Sequence, residues 1–271
     1  MASRLRFITY MSPGIPEEIY RCIVEYLGES LSRPTSLEFE TRFSGPPRGT
    51  SDPFSASEAD LGWMCTPSYF WLQEPGNVPV RLVPAGMVFD DPRNGGRPHY
   101  FSDVVVRQDS DAEGFLDLRG RSWVYNDTSS QSGYYNLLEK LAEIGETLSF
   151  FGSVSASGSH QESLHRVMSG TTDAAAIDAN VLAHQLRLRP ELRGALKIVA
   201  TWGPHAIQPF VASRRLAEPV VQEIAEVLVN PSESFRARLQ RCGVTGFERI
   251  DESHYEAERA ALSMGEALLS R

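Results

Sequence analysis

The stretch Trp123-Val-Tyr-Asn-Asp-Thr-Ser-Ser-Gln-Ser-Gly-Tyr-Tyr135, continued by Asn136-Leu-Leu-Glu-Lys-Leu-Ala142, predicts a strand, a hydroxyl-rich turn and a helix in succession. Residues 122–125 are β-branched or aromatic for the most part, as strands favour. Residues 127–132 are typical of turns and helix N-caps. Apolar residues then recur at helical spacing. They are Leu137, Leu138, Leu141 and Ile144.

The turn between this strand and this helix predicts an anion-binding site. The first amides of a helix have no partner within the helix, and the positive end of the helix dipole lies behind them. Hydroxyl groups of Ser129, Ser130 and Ser132 lie at the same place. Such a turn binds an anion without any lysine or arginine. The alternative is that Ser130 or Ser132 only caps the helix, and the turn alone leaves both interpretations open.

Composition narrows the class of protein. The chain has 271 residues, of which 41% are hydrophobic and 23% charged, as in soluble globular proteins long enough for two lobes. A net charge of −9 disfavours general binding to nucleic acid or to anionic membranes. A small anion can still bind where amides and hydroxyls donate. We expect no cofactor, no metal and no insertion into a membrane.

The cysteines and the first residues bear on location. Cys22, Cys65 and Cys242 are odd in number and lack metal-ligand spacing, which favours a reducing compartment. The chain runs into an apparent strand at residues 5–10 without an apolar signal core. If Met1 is the native start, we expect a cytoplasmic protein. A chain that had lost its signal would look the same and would be periplasmic or lipid-anchored.

Elsewhere strands alternate with helices, which indicates an α/β fold with mostly parallel sheets. Strands are predicted at residues 5–10, 36–43, 59–65, 78–88, 100–106, 172–177, 196–202 and 210–212. Helices are predicted from residues 16 and 66, at 160–168 and 179–188, and over 217–269 with breaks at 230–231 and around 243–246. A surface loop is predicted at 44–54, and a Ser/Gly-rich loop at 154–159.

Seven segments occur in an order typical of one known family. They are Asp60-Leu-Gly-Trp-Met-Cys-Thr-Pro-Ser-Tyr69, Tyr100-Phe-Ser-Asp-Val-Val-Val-Arg107, Leu116-Asp-Leu-Arg-Gly-Arg-Ser-Trp-Val-Tyr125, Asp127-Thr-Ser-Ser-Gln-Ser-Gly-Tyr134, Gly158-Ser-His-Gln-Glu-Ser-Leu164, Gly170-Thr-Thr-Asp-Ala-Ala-Ala-Ile-Asp178 and Pro204-His-Ala-Ile-Gln-Pro-Phe210. With these segments the chain resembles the phosphate/phosphonate-type periplasmic solute-binding proteins of ABC transporters. Each segment is short, and their shared order over residues 5–250 gives the resemblance its specificity.

The resemblance implies a two-lobed type 2 periplasmic-binding-protein fold, an α/β fold whose lobes are joined by crossover strands and close on a ligand like a hinge. Residues 1–101 and 206–271 would form lobe 1, and residues 102–205 would form lobe 2 with the anion loop. In the family, the residues corresponding to Ser130, Gln131 and Ser132 meet the anionic group of the ligand. Tyr100 and His160 would lie beside them.

Several of these positions have a second interpretation. His160 begins a helix and donates to a ligand oxygen if the resemblance holds, or is a solvent-exposed helix residue if it does not. Asp178 caps the next helix or orients the ligand. Tyr10 follows the first strand, where ligands of open α/β sheets collect, and lines a cleft or belongs to the core. Trp63 is more often a core residue than a ligand contact.

Three departures from the family bear on specificity. Gln131 replaces a threonine in the anion loop, and Met64 replaces a tyrosine that often faces the ligand. Gln208 replaces an acid that pairs with ligand amines, which argues against an aminoalkylphosphonate.

We therefore predict a ligand-binding protein, or a sensor built like one, for a small oxyanion such as phosphate, phosphite or a phosphonate. Its partners would be this anion and the membrane subunits of an ABC transporter. One alternative is a cytoplasmic enzyme that acts on a small carboxylate or phosphorylated metabolite, since menaquinone-pathway enzymes and thiamine-pyrimidine synthases use the same fold. No GxSxG, HExxH or P-loop motif supports it. A regulatory interaction module is a third hypothesis.

Overall fold

The computed structural model describes residues 3–76 and 78–270. The chain forms two compact units. Unit 1 comprises Met1–His99 and Ala206–Glu256, and unit 2 comprises Tyr100–His205 and Ala257–Arg271. Among the helices of the described residues, none is both long and apolar enough to cross a bilayer.

Strands and helices alternate over most of the chain. The first part contains β1 (Leu5–Thr9), α1 (Glu17–Ser30), β2 (Thr35–Phe39), β3 (Leu61–Trp63), α2 (Thr66–Trp71), β4 (Val80–Leu82) and β5 (Gly86–Phe89). The middle part contains β6 (His99–Arg107), β7 (Ser122–Tyr125), α3 (Asn136–Glu143), β8 (Ser153–Ala156), α4 (His160–Met168), β9 (Ala174–Asp178), α5 (Ala179–Leu188), α6 (Leu192–Ala195) and β10 (Leu196–Ala206). The last part contains β11 (Phe210–Ser213), α7 (Glu218–Val229), α8 (Glu233–Arg241), β12 (Val244–Glu248) and α9 (Glu256–Leu269).

Unit 1 is built on a five-stranded sheet of order β2-β1-β3-β11-β4. β1 pairs parallel with β2 and β3, whereas β11 pairs antiparallel with β3 and β4. Helix α1 buries an apolar stripe at the predicted helical spacing, which includes Ile19, Ile23 and Leu27. The core contains Trp63 stacked on Phe210, with ring centroids 4.2 Å apart.

Unit 2 is built on a five-stranded sheet of order β10-β6-β9-β7-β8. β7 pairs parallel with β8 and β9, and β6 pairs antiparallel with β9. The carboxyl ends of β7, β8 and β9 therefore lie at one edge of the sheet, where ligands of open α/β sheets bind. The chain segments after these three ends carry most of the residues predicted to bind the anion.

The sheets differ in part from the prediction of mostly parallel strands. Each has a parallel set of three strands, to which antiparallel strands are added, β11 in unit 1 and β6 in unit 2. Two strands were also missed. β8 lies in residues predicted as a loop because its side chains are small, polar and mostly exposed. β12 begins in the predicted break of the C-terminal helical region around residues 243–246, where no strand was expected, and it pairs with β5.

The C-terminal helix lies in another unit than predicted. Residues 206–271 were assigned to lobe 1 as a whole, but α9 from residue 257 onward belongs to unit 2. The reason is packing: a Cβ atom on Gly265 would lie 2.9 Å from the Tyr135 ring and 3.2 Å from Leu138 Cβ. α9 thus approaches α3 closely through a position without a side chain.

Candidate anion-binding site

The turn after β7 leads into one π-helical turn, Gln131–Tyr135, which continues as α3. Ser130 is its N-cap, because its Oγ accepts a hydrogen bond from the Gly133 amide at 3.1 Å. The Tyr135 amide donates to the Ser130 carbonyl at 3.1 Å, which closes the wider π-type ring. Ser130 therefore caps this helix, and the hydroxyl of Ser132 has a different partner. A contact of Ser130 with an anion stays a prediction.

The amides of Gln131 and Ser132 lie at the start of this helix. Within the described part of the chain neither amide forms a hydrogen bond, as expected for the first turn of a helix. The positive end of the helix dipole lies at the same place. These two amides are the donors that the sequence predicted for an anion.

Ser132 and His160 contact each other directly. The distance between Ser132 Oγ and His160 Nε2 is 3.0 Å. His160 is the first residue of α4, whose N-cap Ser159 accepts from the Glu162 amide at 3.1 Å. The starts of two helices thus meet at this pair of side chains. The segment before Gln131 follows β7, and the segment before His160 follows β8. These two strands are parallel neighbours, so their ends lie side by side.

His160 is neutral at physiological pH. Burial lowers the pKa of its imidazole to about 4, since removing water disfavours the charged form. The residue as a whole is half-buried, but its Nδ1 atom is enclosed and has no hydrogen-bond partner among the described residues. One ring nitrogen of a neutral imidazole carries a proton, and the tautomer decides whether Nε2 donates to Ser132 or accepts from it.

A glycine is required at position 133 because the backbone there lies very close to the side chains of Asn126 and His160. A Cβ atom at this position would lie 1.9 Å from Asn126 Oδ1 and 3.3 Å from His160 Cε1. The first distance is far below any contact that two heavy atoms tolerate. The absence of a side chain at Gly133 therefore allows Asn126 and His160 to flank the start of the π-helical turn.

Residues of the neighbouring strands β6 and β9 support the turn after β7. Ser102 Oγ donates to the Ser132 carbonyl at 2.7 Å, and Ser102 lies opposite Asp178 in the β6–β9 ladder. The Asp178 carboxylate accepts from the Asn180 amide at 2.8 Å and the Val181 amide at 3.4 Å. Of the two roles considered for Asp178, the cap of α5 is observed, and orientation of a ligand stays a prediction.

The remaining candidates of unit 2 are buried. Tyr100 lies on β6 two residues before Ser102, so the two side chains point to the same face of the strand. Its ring centroid is 5.7 Å from that of His205. Gln131 donates from Nε2 to Asn136 Oδ1 at 2.7 Å. The structure thus groups five predicted residues at one edge of the unit 2 sheet. They are Ser130, Gln131, Ser132, His160 and Asp178.

The candidates of unit 1 form a separate group. Tyr10 follows β1, and its amide donates to the Trp63 carbonyl at 3.0 Å. Burial, together with Glu40 and Asp52, raises the pKa of the Tyr10 hydroxyl. Trp63 is 2% exposed within the aromatic core, in keeping with a core residue. Gln208 is half-buried two residues before β11, whose Phe210 pairs with Trp63.

Some residues of the site were not identified from the sequence. Ser102 supports the loop through a hydrogen bond, and it lies within the segment Tyr100–Arg107 that carries the resemblance, so a signal existed. Asn126 packs on Gly133, and Asn136 holds the Gln131 side chain. Nothing in the sequence distinguishes the π-helical turn from an ordinary first turn of an α-helix.

Two units with mixed open sheets, and a candidate anion loop at the carboxyl edge of one of them, are typical of a type 2 periplasmic binding protein. Residues 5–255 match the family described as the periplasmic substrate-binding protein of phosphonate ABC transporters. The match covers nearly the whole chain, and the chain belongs to this family.

Solved structures of low sequence identity share the fold. A binding protein component of an ABC phosphonate transporter from Pseudomonas aeruginosa is 13% identical with a TM-score of 0.80, over 99% of this chain and 88% of that one. A protein from Prochlorococcus marinus in complex with methylphosphonate is 18% identical with a TM-score of 0.75, over 99% of both chains. A protein from Xanthomonas citri bound to ATP is 16% identical with a TM-score of 0.72, over 99% of both chains. A comparison with curated proteins gave no match.

The family decides between the hypotheses from the sequence. Its members are substrate-binding components that work with ABC transporters, and the enzyme alternative receives no support. The family is periplasmic. The expectation of a cytoplasmic protein, which was based on the first residues and the cysteines, is therefore not supported.

Proposed function

We propose that the protein binds a small phosphonate or a related phosphorus oxyanion, and that residues Ser129–Gly133 hold its anionic group. One observation carries the proposal: Ser132 Oγ lies 3.0 Å from His160 Nε2, where the starts of two helices meet. The methylphosphonate complex of the Prochlorococcus marinus protein and the ATP complex of the Xanthomonas citri protein, both similar in fold, support a phosphorus oxyanion as the ligand.

The donors are neutral, which suits an anion that must later be released. The amides of Gln131 and Ser132 and the hydroxyl of Ser132 donate to the anionic oxygens. Hydrogen bonds to a charged group contribute about 1.5–3 kcal/mol each. No lysine or arginine of the described chain bonds to Ser130, Gln131, Ser132 or His160. Apart from His160, whose imidazole can take up a proton, affinity thus comes from oriented dipoles.

His160 makes binding sensitive to pH. Its pKa is about 4 in the structure, and a nearby anion raises the pKa of an imidazole because it favours the charged form. Binding is then accompanied by proton uptake. The ligand is bound more tightly as the pH falls towards the pKa that His160 has in the complex.

The contribution of unit 1 stays a prediction. Tyr10, Trp63 and Gln208 are expected to contact the rest of the ligand, and the closing of two lobes on it follows from the family resemblance alone. The amide of Gln208, in place of an acid, disfavours ligands that carry an amine. We further propose that the protein passes its ligand to the membrane subunits of an ABC transporter.

Thermal unfolding in the presence of methylphosphonate, phosphite and phosphate tests the proposal. A ligand at a hundred times its Kd stabilises a protein by about 2.7 kcal/mol, which raises Tm by roughly 5–10 °C for a chain of this size. Ser132→Ala should abolish most of this increase while the ligand-free protein stays folded.

A matched control is Ser213→Ala. Ser213 is a buried serine of β11 whose Oγ accepts from the Arg215 amide at 3.3 Å, outside both groups of candidate residues. This variant should retain the full ligand-induced increase in Tm. The proposal is wrong if none of the three anions raises the Tm of the wild-type protein at millimolar concentration.

A further inference from the structure

Three segments of unit 1 come together at the carbonyl group of Pro98. Each segment lies next to a point where the chain passes between the units, which happens between residues 99 and 100, 205 and 206, and 256 and 257. The Pro98 carbonyl accepts a hydrogen bond from the Ile207 amide at 2.9 Å, and His254 Nε2 lies 3.0 Å from the same oxygen. One carbonyl group thus joins the three segments that connect unit 1 to unit 2.

The contact with Pro98 fixes the tautomer of His254. A carbonyl oxygen only accepts, so Nε2 carries a proton and Nδ1 is the acceptor of the neutral imidazole. The ring of His99 stacks on the ring of His254, with centroids 5.3 Å apart and an angle of 2° between the planes. Tyr255 contacts the His254 ring edge-on, with centroids 5.3 Å apart. A further proton would therefore be taken up at Nδ1, and it would make His254 a cation stacked on the ring of His99.

The stacked pair lies at a cavity of about 480 Å³ that opens to solvent. Both rings are half-buried, and water and protons reach them from this cavity. The charged side chains that line it are Arg97, Glu248, Arg249 and Asp251, and α7 contributes the neutral Gln222. Arg249 forms an ion pair with Glu226 of α7, and Asp251 accepts from the Ser253 amide at 2.9 Å. The charges nearest to balance around the pair are thus Arg97 and Glu248.

These surroundings disfavour a positive charge on His99. Burial lowers the pKa of its imidazole, and positive charge on His254 and Arg97 lowers this pKa further, whereas Glu248 acts in the opposite direction. The neutral rings pack as a stack. Two protonated rings at the same distance repel each other, because the charges lie only a few ångströms apart.

We propose that His99 and His254 form a proton-sensitive latch, which holds the three connecting segments together in unit 1 while both imidazoles are neutral and releases them on protonation. A second proton on the pair introduces repulsion across the stack. The cavity supplies the water that hydrates the imidazolium groups once the rings separate, and the bond of His254 to Pro98 is lost with the stack. The latch contains no residue of the anion loop, so it is independent of the proposed function.

The sign of the effect follows from the pKa of His99. Its folded-state pKa lies below the ordinary value of 6.5, so the released state, in which the ring is hydrated, binds more protons than the latched state. The latch is therefore closed above pH 6.5 and loosens as the pH falls below this value. The pKa of His160 is lowered as well, so a measurement on individual residues is needed to separate the latch from the anion loop.

Amide hydrogen exchange, followed by NMR on the full chain without ligand, tests the latch. The reporters are the amides of His99, Ile207 and His254, which donate to the carbonyls of Arg97, Pro98 and Asp251. Between about pH 7.5 and about pH 5, the range in which histidines titrate, their protection factors should fall about tenfold or more. Repulsion between two unit charges 5.3 Å apart near a protein surface is large enough for this change.

Three variants separate the charge from the packing. His99→Phe keeps a ring on His254 but takes up no proton, so the protection of the Ile207 and His254 amides should become nearly independent of pH. His99→Gln also removes the proton, and it keeps the test valid if the phenylalanine variant does not fold. The matched control is His165→Gln, which removes an exposed imidazole of α4 in unit 2. This control should retain the pH dependence of the wild type.

The imidazole resonances in the same samples give the protonation of each histidine. The latch is supported if the reporter amides lose protection over the pH range in which His99 takes up its proton. It is overturned if their protection stays constant while His99 titrates. It is also overturned if a folded His99→Phe or His99→Gln variant loses as much protection on acidification as the wild type.

Discussion

Gly133→Ala is the substitution whose effect the structure defines most sharply. The new Cβ would lie 1.9 Å from Asn126 Oδ1 and 3.3 Å from His160 Cε1. Neither neighbour can move freely, because Asn126 donates to Asp127 at 3.1 Å and His160 contacts Ser132 at 3.0 Å. The start of the π-helical turn must therefore shift away from the groups that flank it.

The expected cost is that of an overpacked buried site, about 1–3 kcal/mol. For a chain of this length, that lowers Tm by roughly 2–4 °C per kcal/mol. Affinity for methylphosphonate should fall by about a hundredfold or more, which corresponds to at least about 2.7 kcal/mol. The two unpaired amides and the hydroxyl of Ser132 are displaced together, and the hydrogen bond of each to a charged group is worth about 1.5–3 kcal/mol. Calorimetric titration and thermal unfolding measure the two effects separately.

Gly194→Ala is the matched control. A Cβ at Gly194 in α6 has open space within 4 Å, and alanine favours a helix over glycine by about 1 kcal/mol. This variant should bind like the wild type and be equally or slightly more stable. A Gly133→Ala protein with wild-type Tm and wild-type affinity would refute the reasoning about the loop.

Substitutions at four positions follow from the hydrogen bonds and the burial of the site residues. Ser130→Ala removes the N-cap and should lower the free energy of unfolding by about 1 kcal/mol, whereas Ser132→Ala should reduce affinity more than stability; urea unfolding and calorimetry distinguish them. The folded-state pKa of His160, about 4, lies below the ordinary value of 6.5, so the unfolded state binds more protons between these values and stability should decrease as pH falls from 6.5 to 4. Urea unfolding should show a flatter pH profile for His160→Asn. Asp178→Ala should lose about 1 kcal/mol through the cap of α5 while Asp178→Asn retains most of it, and equal stabilities of the two variants would contradict the cap.

Elements with strong local signals were predicted with the right bounds. The strand Ser122–Tyr125 and the helices His160–Met168 and Ala179–Leu188 begin and end where the sequence indicated. For the two helices, the reason is local: Ser159 and Asp178 cap them through their own side chains. Apolar periodicity and a capping residue together fix such an element without reference to the rest of the chain.

Features that depend on distant partners were missed. The exposed strand β8 is a strand because it pairs with β7, and β12 is a strand because it pairs with β5. The antiparallel direction of β6 and β11 is likewise a property of the whole topology. No local pattern of serine, glycine or alternating residues encodes these pairings.

The site was predicted as a set of residues, but not as a set of contacts. The sequence and the resemblance together indicated Ser130, Ser132 and His160. Which serine caps the helix, and which one contacts the imidazole, follows from the backbone of the π-helical turn. That geometry depends on the close packing of Gly133 against Asn126, 7 residues away, and on Ser102 from a neighbouring strand.

The central claim is that the amides of Gln131 and Ser132 donate to a phosphorus oxyanion. The most direct test is a titration of isotope-labelled protein with methylphosphonate, in which the amide proton resonances are followed by NMR. We predict the largest downfield shifts for these two amides, with saturation at the Kd measured by calorimetry. Saturable binding that leaves both resonances unchanged would contradict the claim.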